Sequence, residues 1–198
     1  MITLNNLVVG YKKPLLEPLN IAFEDGKIYG VLGKSGCGKS TLLKTIAKLH
    51  RPLSGEVIRS DSKQIYMMHQ RYTNFNWLSC IDNVLIAERN KRKRKRLADK
   101  AKEVLVQVGL GDYLDRYPTE LSGGMQQRLA LARVLFVKPQ YLLMDEPLSA
   151  LDDTTRAKMQ KLIMDIHKET GNTIIMVTHS VVEANKMCDQ IITLEKEV

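Results

Sequence analysis

The chain has 198 residues, 44% of them hydrophobic and 26% charged, enough for one domain with a core of its own. No segment reaches the roughly 20 apolar residues of a membrane-spanning helix, and Met1 to Val9 lack the basic start and apolar run of a signal peptide. The net charge is +8, but six of those charges stand in one run, Lys91 to Arg96, so the basicity is local and a surface-wide nucleic-acid face is not expected.

Cys37, Cys80 and Cys188 form no CxxC pair and read as free thiols, which excludes a disulfide framework and a zinc site. A cytoplasmic protein follows, with any membrane role reached through a partner.

In chain order, Ile2 to Val9 and Leu19 to Phe23 alternate loosely and are separated by Gly10, Pro14, Pro18 and Asp25-Gly26, so both are expected strands. Lys27 to Leu32 is a compact apolar strand. A glycine-rich loop follows and opens a helix expected from about Lys39 to Leu49. Gly55 to Arg59 and Gln64 to Met68 are two more expected strands.

From Ser79 to Gly109, Val84, Leu85, Leu97, Ala101, Val104, Leu105 and Val108 give apolar faces at helical spacing among many charges. Residues 71–117 are read as a helical subdomain set into a single domain, between core segments 1–70 and 118–198. Within it, Lys91 to Arg96 reads either as a solvated helix start or as a contact for anionic lipid headgroups or nucleic-acid phosphates.

The last third alternates clearly: a helix from about Ser122 to Val137, strand Tyr141 to Met144, a helix from about Asp153 to Thr170, strand Thr173 to Val177, a helix near Val181 to Met187 and strand Gln190 to Leu194. That order predicts an α/β fold with a mostly parallel sheet.

Gly33-Lys34-Ser35-Gly36-Cys37-Gly38-Lys39-Ser40 fits G-x-x-x-x-G-K-[ST], after a strand and at the start of a helix, as the motif requires. Glycines let successive N–H groups face phosphate oxygens, and the helix N-terminus adds its positive end. Lys39 can bridge the β- and γ-phosphates and the Ser40 hydroxyl can bind Mg²⁺. These eight residues and Thr41 form the expected nucleotide cradle. Cys37 reads as a small filler or as an oxidisable thiol.

Leu142-Leu143-Met144-Asp145-Glu146 is an apolar strand ending in two carboxylates, at the edge where ligands bind in open α/β sheets. Asp145 is placed to hold Mg²⁺, directly or through water. Glu146 follows as the general base that activates water against the γ-phosphate.

Leu121-Ser122-Gly123-Gly124-Met125-Gln126-Gln127-Arg128 carries the family resemblance. Ser122 caps a helix, and Gly123 and Gly124 let its N–H groups approach an anion. The stretch resembles the signature motif of ATP-binding cassette proteins and lies where that family has it, between phosphate loop and acidic strand. The resemblance implies a P-loop NTPase core, an N-terminal antiparallel β subdomain and an inserted helical subdomain.

It also implies further roles. Tyr11 matches the aromatic residue that stacks on adenine, with a core ring as the other reading. Gln70 matches the glutamine that reaches Mg²⁺ and reports to the membrane partner. Ser149 to Asp152 matches a loop crossing a dimer interface, and His179 the histidine that contacts the γ-phosphate. Glu146, His179 and Lys39 are then the expected catalytic residues; Ser40, Gln70 and Asp145 the metal set; ATP and Mg²⁺ the cofactors.

Gln70 to Leu78 and Ile81 to Val84, with Trp77 and Asp82-Asn83-Val84, look like import ATPases for nitrate, sulfonate and taurine-type solutes. The resemblance thus implies a transporter's ATPase subunit, with importer for a small anionic solute first, exporter of lipid or lipoprotein second, and a soluble cassette third. Implied partners are a second cassette, transmembrane permease subunits and a substrate-binding protein, on the inner face of the membrane. The sequence stops at Val198, soon after the last strand, where import ATPases usually continue, so no regulatory C-terminal domain is expected.

Overall fold

The computed structural model describes residues 1–59, 64–69, 74–88 and 90–194. In chain order they form β1 (Ile2–Val8), β2 (Leu19–Phe23), β3 (Ile28–Gly33), α1 (Lys39–Ile46), β4 (Ser54–Arg59) and β5 (Ile65–Met68). Then come α2 (Cys80–Leu85), α3 (Lys91–Arg96), α4 (Ala98–Gln107) and α5 (Gly123–Val137). The chain ends through β6 (Tyr141–Asp145), α6 (Asp153–Thr170), β7 (Thr173–Val177), α7 (Val181–Met187) and β8 (Gln190–Leu194). The chain divides into two compact units, Met1–Met67, Pro139–Pro147 and His167–Val198 forming one, and Met68–Lys138 with Leu148–Ile166 the other.

The first unit holds both sheets. One is antiparallel, in the order β2–β1–β4, with Ile2 opposite Phe23 and Thr3 opposite Ile58. The other runs β5–β6–β7–β3–β8, with β6, β7, β3 and β8 parallel. Every residue of β6 and β7 is buried, which explains their unbroken apolar runs: parallel strands covered on both faces have no solvent side to alternate toward. Ile2, Leu4, Phe23, Tyr29, Leu42, Leu43, Leu143 and Ile175 belong to one core cluster. The N-terminal antiparallel part and the mostly parallel sheet follow the sequence reading.

α1 stops at Ile46, three residues before the expected end. Lys48 takes a left-handed φ of 60°, and the N–H groups of Leu49 and His50 both turn back to the Lys44 carbonyl, so the helix closes its own terminus.

The second unit packs α2, α4 and α5 against one another. Asn83, fully buried on α2, ties the preceding loop: its Nδ2 donates to the carbonyls of Phe75, Leu78 and Ser79, and its Oδ1 accepts from the Phe75 N–H at 2.8 Å. Arg128 on α5 donates to the carbonyls of Val108 and Gly109 just past α4, each at 2.9 Å. Among the described residues no helix is long and apolar enough to cross a membrane.

Candidate functional site

The expected nucleotide cradle follows β3, an interior strand of the parallel sheet between β7 and the edge strand β8. Glycine is required there by geometry. A Cβ on Gly33 would sit 2.7 Å from the Leu194 carbonyl oxygen, and Gly38, at φ 107°, caps α1 in a conformation other residues avoid. Lys34, Ser35 and Gly36 are exposed, while Cys37, Gly38 and Lys39 are buried. Cys37 is 1% exposed and belongs to the core cluster, so it fills space, as the first of its two readings has it.

Lys39 is 6% exposed; its Nζ donates to the carbonyls of Gly33 at 2.7 Å and Lys34 at 2.9 Å. The ammonium is thereby held inside the curl of the loop. Thr41 is buried, and its carbonyl accepts from the Thr45 hydroxyl at 2.8 Å.

β6 delivers the carboxylates. Asp145, 3% exposed, accepts a hydrogen bond from the Ser40 hydroxyl at 2.9 Å across 105 positions of sequence. Two oxygen donors meet there, a set that suits Mg²⁺ held chiefly by substrate phosphates. No group of three or more His, Cys, Asp or Glu side chains among the described residues forms a metal cage.

Glu146 has φ 49°, a left-handed backbone that costs energy in a residue other than glycine. Its N–H continues the sheet by donating to the Val177 carbonyl at 3.0 Å. Nδ1 of His179 lies 3.8 Å from Oε2 of Glu146, the imidazole side chain 68% and the carboxylate 21% exposed. Carboxylate and imidazole therefore lie together at the carboxyl edge of β6 and β7.

Sequence reasoning missed the support beneath His179. Glu183, 7% exposed, accepts from the Thr178 hydroxyl, and Ser180 Oγ accepts from the Glu183 N–H at 3.2 Å. The spacing Ser180-Val181-Val182-Glu183 is that of a capping box and was the available signal.

Tyr11 is 64% exposed, which removes its core reading. Its ring lies 4.7 Å from the His50 ring, and His50 Nε2 shares a 2.7 Å hydrogen bond with the Gly10 carbonyl. No local signal marks His50.

In the second unit, Ser122 caps α5, its hydroxyl accepting from the Met125 N–H at 3.3 Å. A Cβ placed on Gly123 would meet no heavy atom within 4 Å, so the chain's own packing does not demand glycine there. Of the loop Ser149 to Asp152, only Leu151 is buried. The Ala150 N–H is held at 3.1 Å by Oε1 of Gln127, a second supporting residue missed from sequence. Gln70 lies outside the described residues.

A phosphate loop after an interior parallel strand, a serine hydroxyl on a buried aspartate and a carboxylate one residue further define a P-loop nucleoside-triphosphatase. Residues 16–149 match the ABC transporter family. The chain is 40% identical to the taurine import ATP-binding protein of Roseobacter denitrificans over 98% of its own length and 77% of the relative's. It is also 40% identical to the aliphatic sulfonates import ATP-binding protein of Zymomonas mobilis, over 92% of this chain and 76% of that one. In three dimensions it is similar to a bacterial ABC transporter cassette, MJ0796, solved as a dimer, with TM-score 0.87, 31% identity, and 98% and 94% of the two chains covered. The chain belongs to the ABC transporter family and is one of its ATP-binding, ATP-hydrolysing cassettes.

Proposed function

We propose that this cassette energises uptake of taurine or a related small sulfonate, at the inner face of the membrane and bound to permease subunits. The observation that carries the ATPase chemistry is the Ser40–Asp145 hydrogen bond, with Glu146 next in sequence and His179 3.8 Å from it. The substrate class is supported by two import relatives, each at 40% identity. A substrate-binding protein outside the membrane is the natural donor for such uptake.

In this reading Tyr11 stacks on adenine, the N–H groups from Gly33 to Thr41 bind phosphate oxygens, and Lys39 neutralises the β- and γ-phosphates. Ser40, Asp145 and Gln70 would hold Mg²⁺, which when bound supplies charge neutralisation on the transferring phosphoryl group. Glu146 takes a proton from the attacking water, and His179 stays on the γ-phosphate side. Ser122, Gly123 and Gly124 come from a second cassette, so two ATP molecules lie between two head-to-tail chains. Dimeric structures of a similar cassette, one bound to ADP and Pi, support the pairing. Residues 71–117 pass opening and closing to the permease.

The test is uptake. Deleting the gene from the source organism should abolish accumulation of labelled taurine or alkanesulfonate, and the wild-type gene should restore it where Glu146→Gln does not. Unchanged uptake of both solutes with export of a lipid lost would replace this reading with the exporter one.

A further inference from the structure

Nothing in the nucleotide chemistry uses the six consecutive cations Lys91 to Arg96. They fold as α3, capped by Asn90, whose Oδ1 accepts from the N–H groups of Arg92 at 3.0 Å and Lys93 at 3.4 Å. Arg94 is half-buried and anchored, its Nε donating to the Glu88 carbonyl at 2.6 Å. Arg92, Lys93, Lys95 and Arg96 are exposed.

Among the described residues, none of those four cations has a carboxylate within ion-pair reach. The nearest acids in sequence are engaged elsewhere: Glu88 accepts from the Asn90 N–H at 2.8 Å, and Asp99 pairs with Lys102 at 3.6 Å. Like charges therefore stand at helical neighbour spacing, Arg92 with Lys95 and Arg96, Lys93 with Arg96. Such pairs destabilise a helix unless something outside it neutralises them.

We propose that α3 is a membrane-contact element that binds the anionic phospholipid headgroups around the permease. Its residues carry no apolar or aromatic side chain, so it adsorbs without inserting, by charge alone. The same lack of rings removes a stacking platform for bases, and a helix about 9 Å long is too short to track a nucleic-acid backbone. Headgroups need no such track. The proposal rests on the transporter reading only for placing the chain at a membrane; binding to vesicles needs neither permease nor nucleotide, so the two can fail separately.

The experiment is co-sedimentation of the full chain with vesicles of phosphatidylcholine alone or with about 30% phosphatidylglycerol, at low and high salt. Wild type should pellet with anionic vesicles only, and release as salt rises. Replacing Arg92, Lys93, Lys95 and Arg96 together by Gln should weaken binding on the order of 10²-fold, with each near-surface cation contributing about a fivefold factor before screening. ATP hydrolysis without lipid should not change, which also certifies the fold. Arg92→Lys with Arg96→Lys should bind as wild type, because the headgroup layer reads charge rather than guanidinium geometry. Equal binding to neutral and anionic vesicles, no binding to either, or an unchanged four-Gln variant would overturn the proposal. So would tighter binding to polyuridylate than to anionic vesicles at the same salt.

Discussion

Glu146 holds a left-handed backbone at φ 49° beside a histidine that sequence places 33 residues away. Strain of this kind persists where the surroundings over-determine it, and here the Val177 carbonyl fixes the Glu146 N–H. Changing Glu146 to Gln keeps the shape and loses the base, so steady hydrolysis should fall about 10²- to 10⁴-fold with ATP binding retained. Phosphate release and calorimetry together check this; hydrolysis at the wild-type rate would remove the carboxylate from its role. If the Lys39 ammonium neutralises the β- and γ-phosphates as proposed, Lys39→Ala should lose most ATP affinity while circular dichroism stays the same. His50→Ala frees the Tyr11 ring on its exposed side, and KM for ATP should rise about two- to tenfold with kcat little changed. The roles proposed for Lys39 and Glu146 rest on motifs that prescribe local geometry, so both residues stand out in the sequence. His50 does not stand out, because its partner ring lies 39 positions away, beyond β2, β3 and α1, and no spacing rule spans them.

At the scale of elements, the start of α6 couples charge to folding. The Asp152 carboxyl is held below the usual carboxylate range, first by the Thr155 side chain and then by the Thr155 N–H, at 2.9 Å. A lowered folded value means that the cap stabilises above the ordinary value near 3.8 and is lost as pH falls through the lower folded one. Asp152→Ala should therefore lower the urea midpoint at neutral pH, and the gap should close under strong acid. Asn83→Ala would take the buried amide from the 75–79 loop, leaving the Phe75 N–H and the Leu78 carbonyl without it, and should cost about 1–3 kcal/mol, read from the same denaturation. The start of helix α5 was legible from Ser122, its cap. The early end of α1 was not, since Lys48 turns left-handed without a glycine to announce it.

For the whole molecule, the sandwich reading makes a demand that one chain cannot meet. Glu146→Gln protein should run as a dimer in ATP and a monomer in ADP by light scattering. Adding Ser122→Phe should abolish that dimer yet leave monomeric ATP binding. An ATP dimer indifferent to Ser122 would mean that the signature loop does not face the partner's nucleotide. The thiols bear on handling the protein. Burial pushes Cys80 up to about 11 and Cys188 up to about 12, so both should resist alkylation at pH 8 until the chain is unfolded.

The sequence by itself determined the phosphate loop, the acidic strand end, the signature and the α/β order, because glycine φ values, helix caps and apolar strand runs are local rules. Only the tertiary structure decided which carboxylate receives the Ser40 hydroxyl, what braces Tyr11, and which side chain holds the Ala150 N–H. Each joins segments distant in the chain. The first depends on the strand order β5–β6–β7–β3–β8, which brings the β3 loop and the end of β6 to one edge of the sheet. Pairing of that kind is set by burying whole faces at once, and no window of sequence contains it.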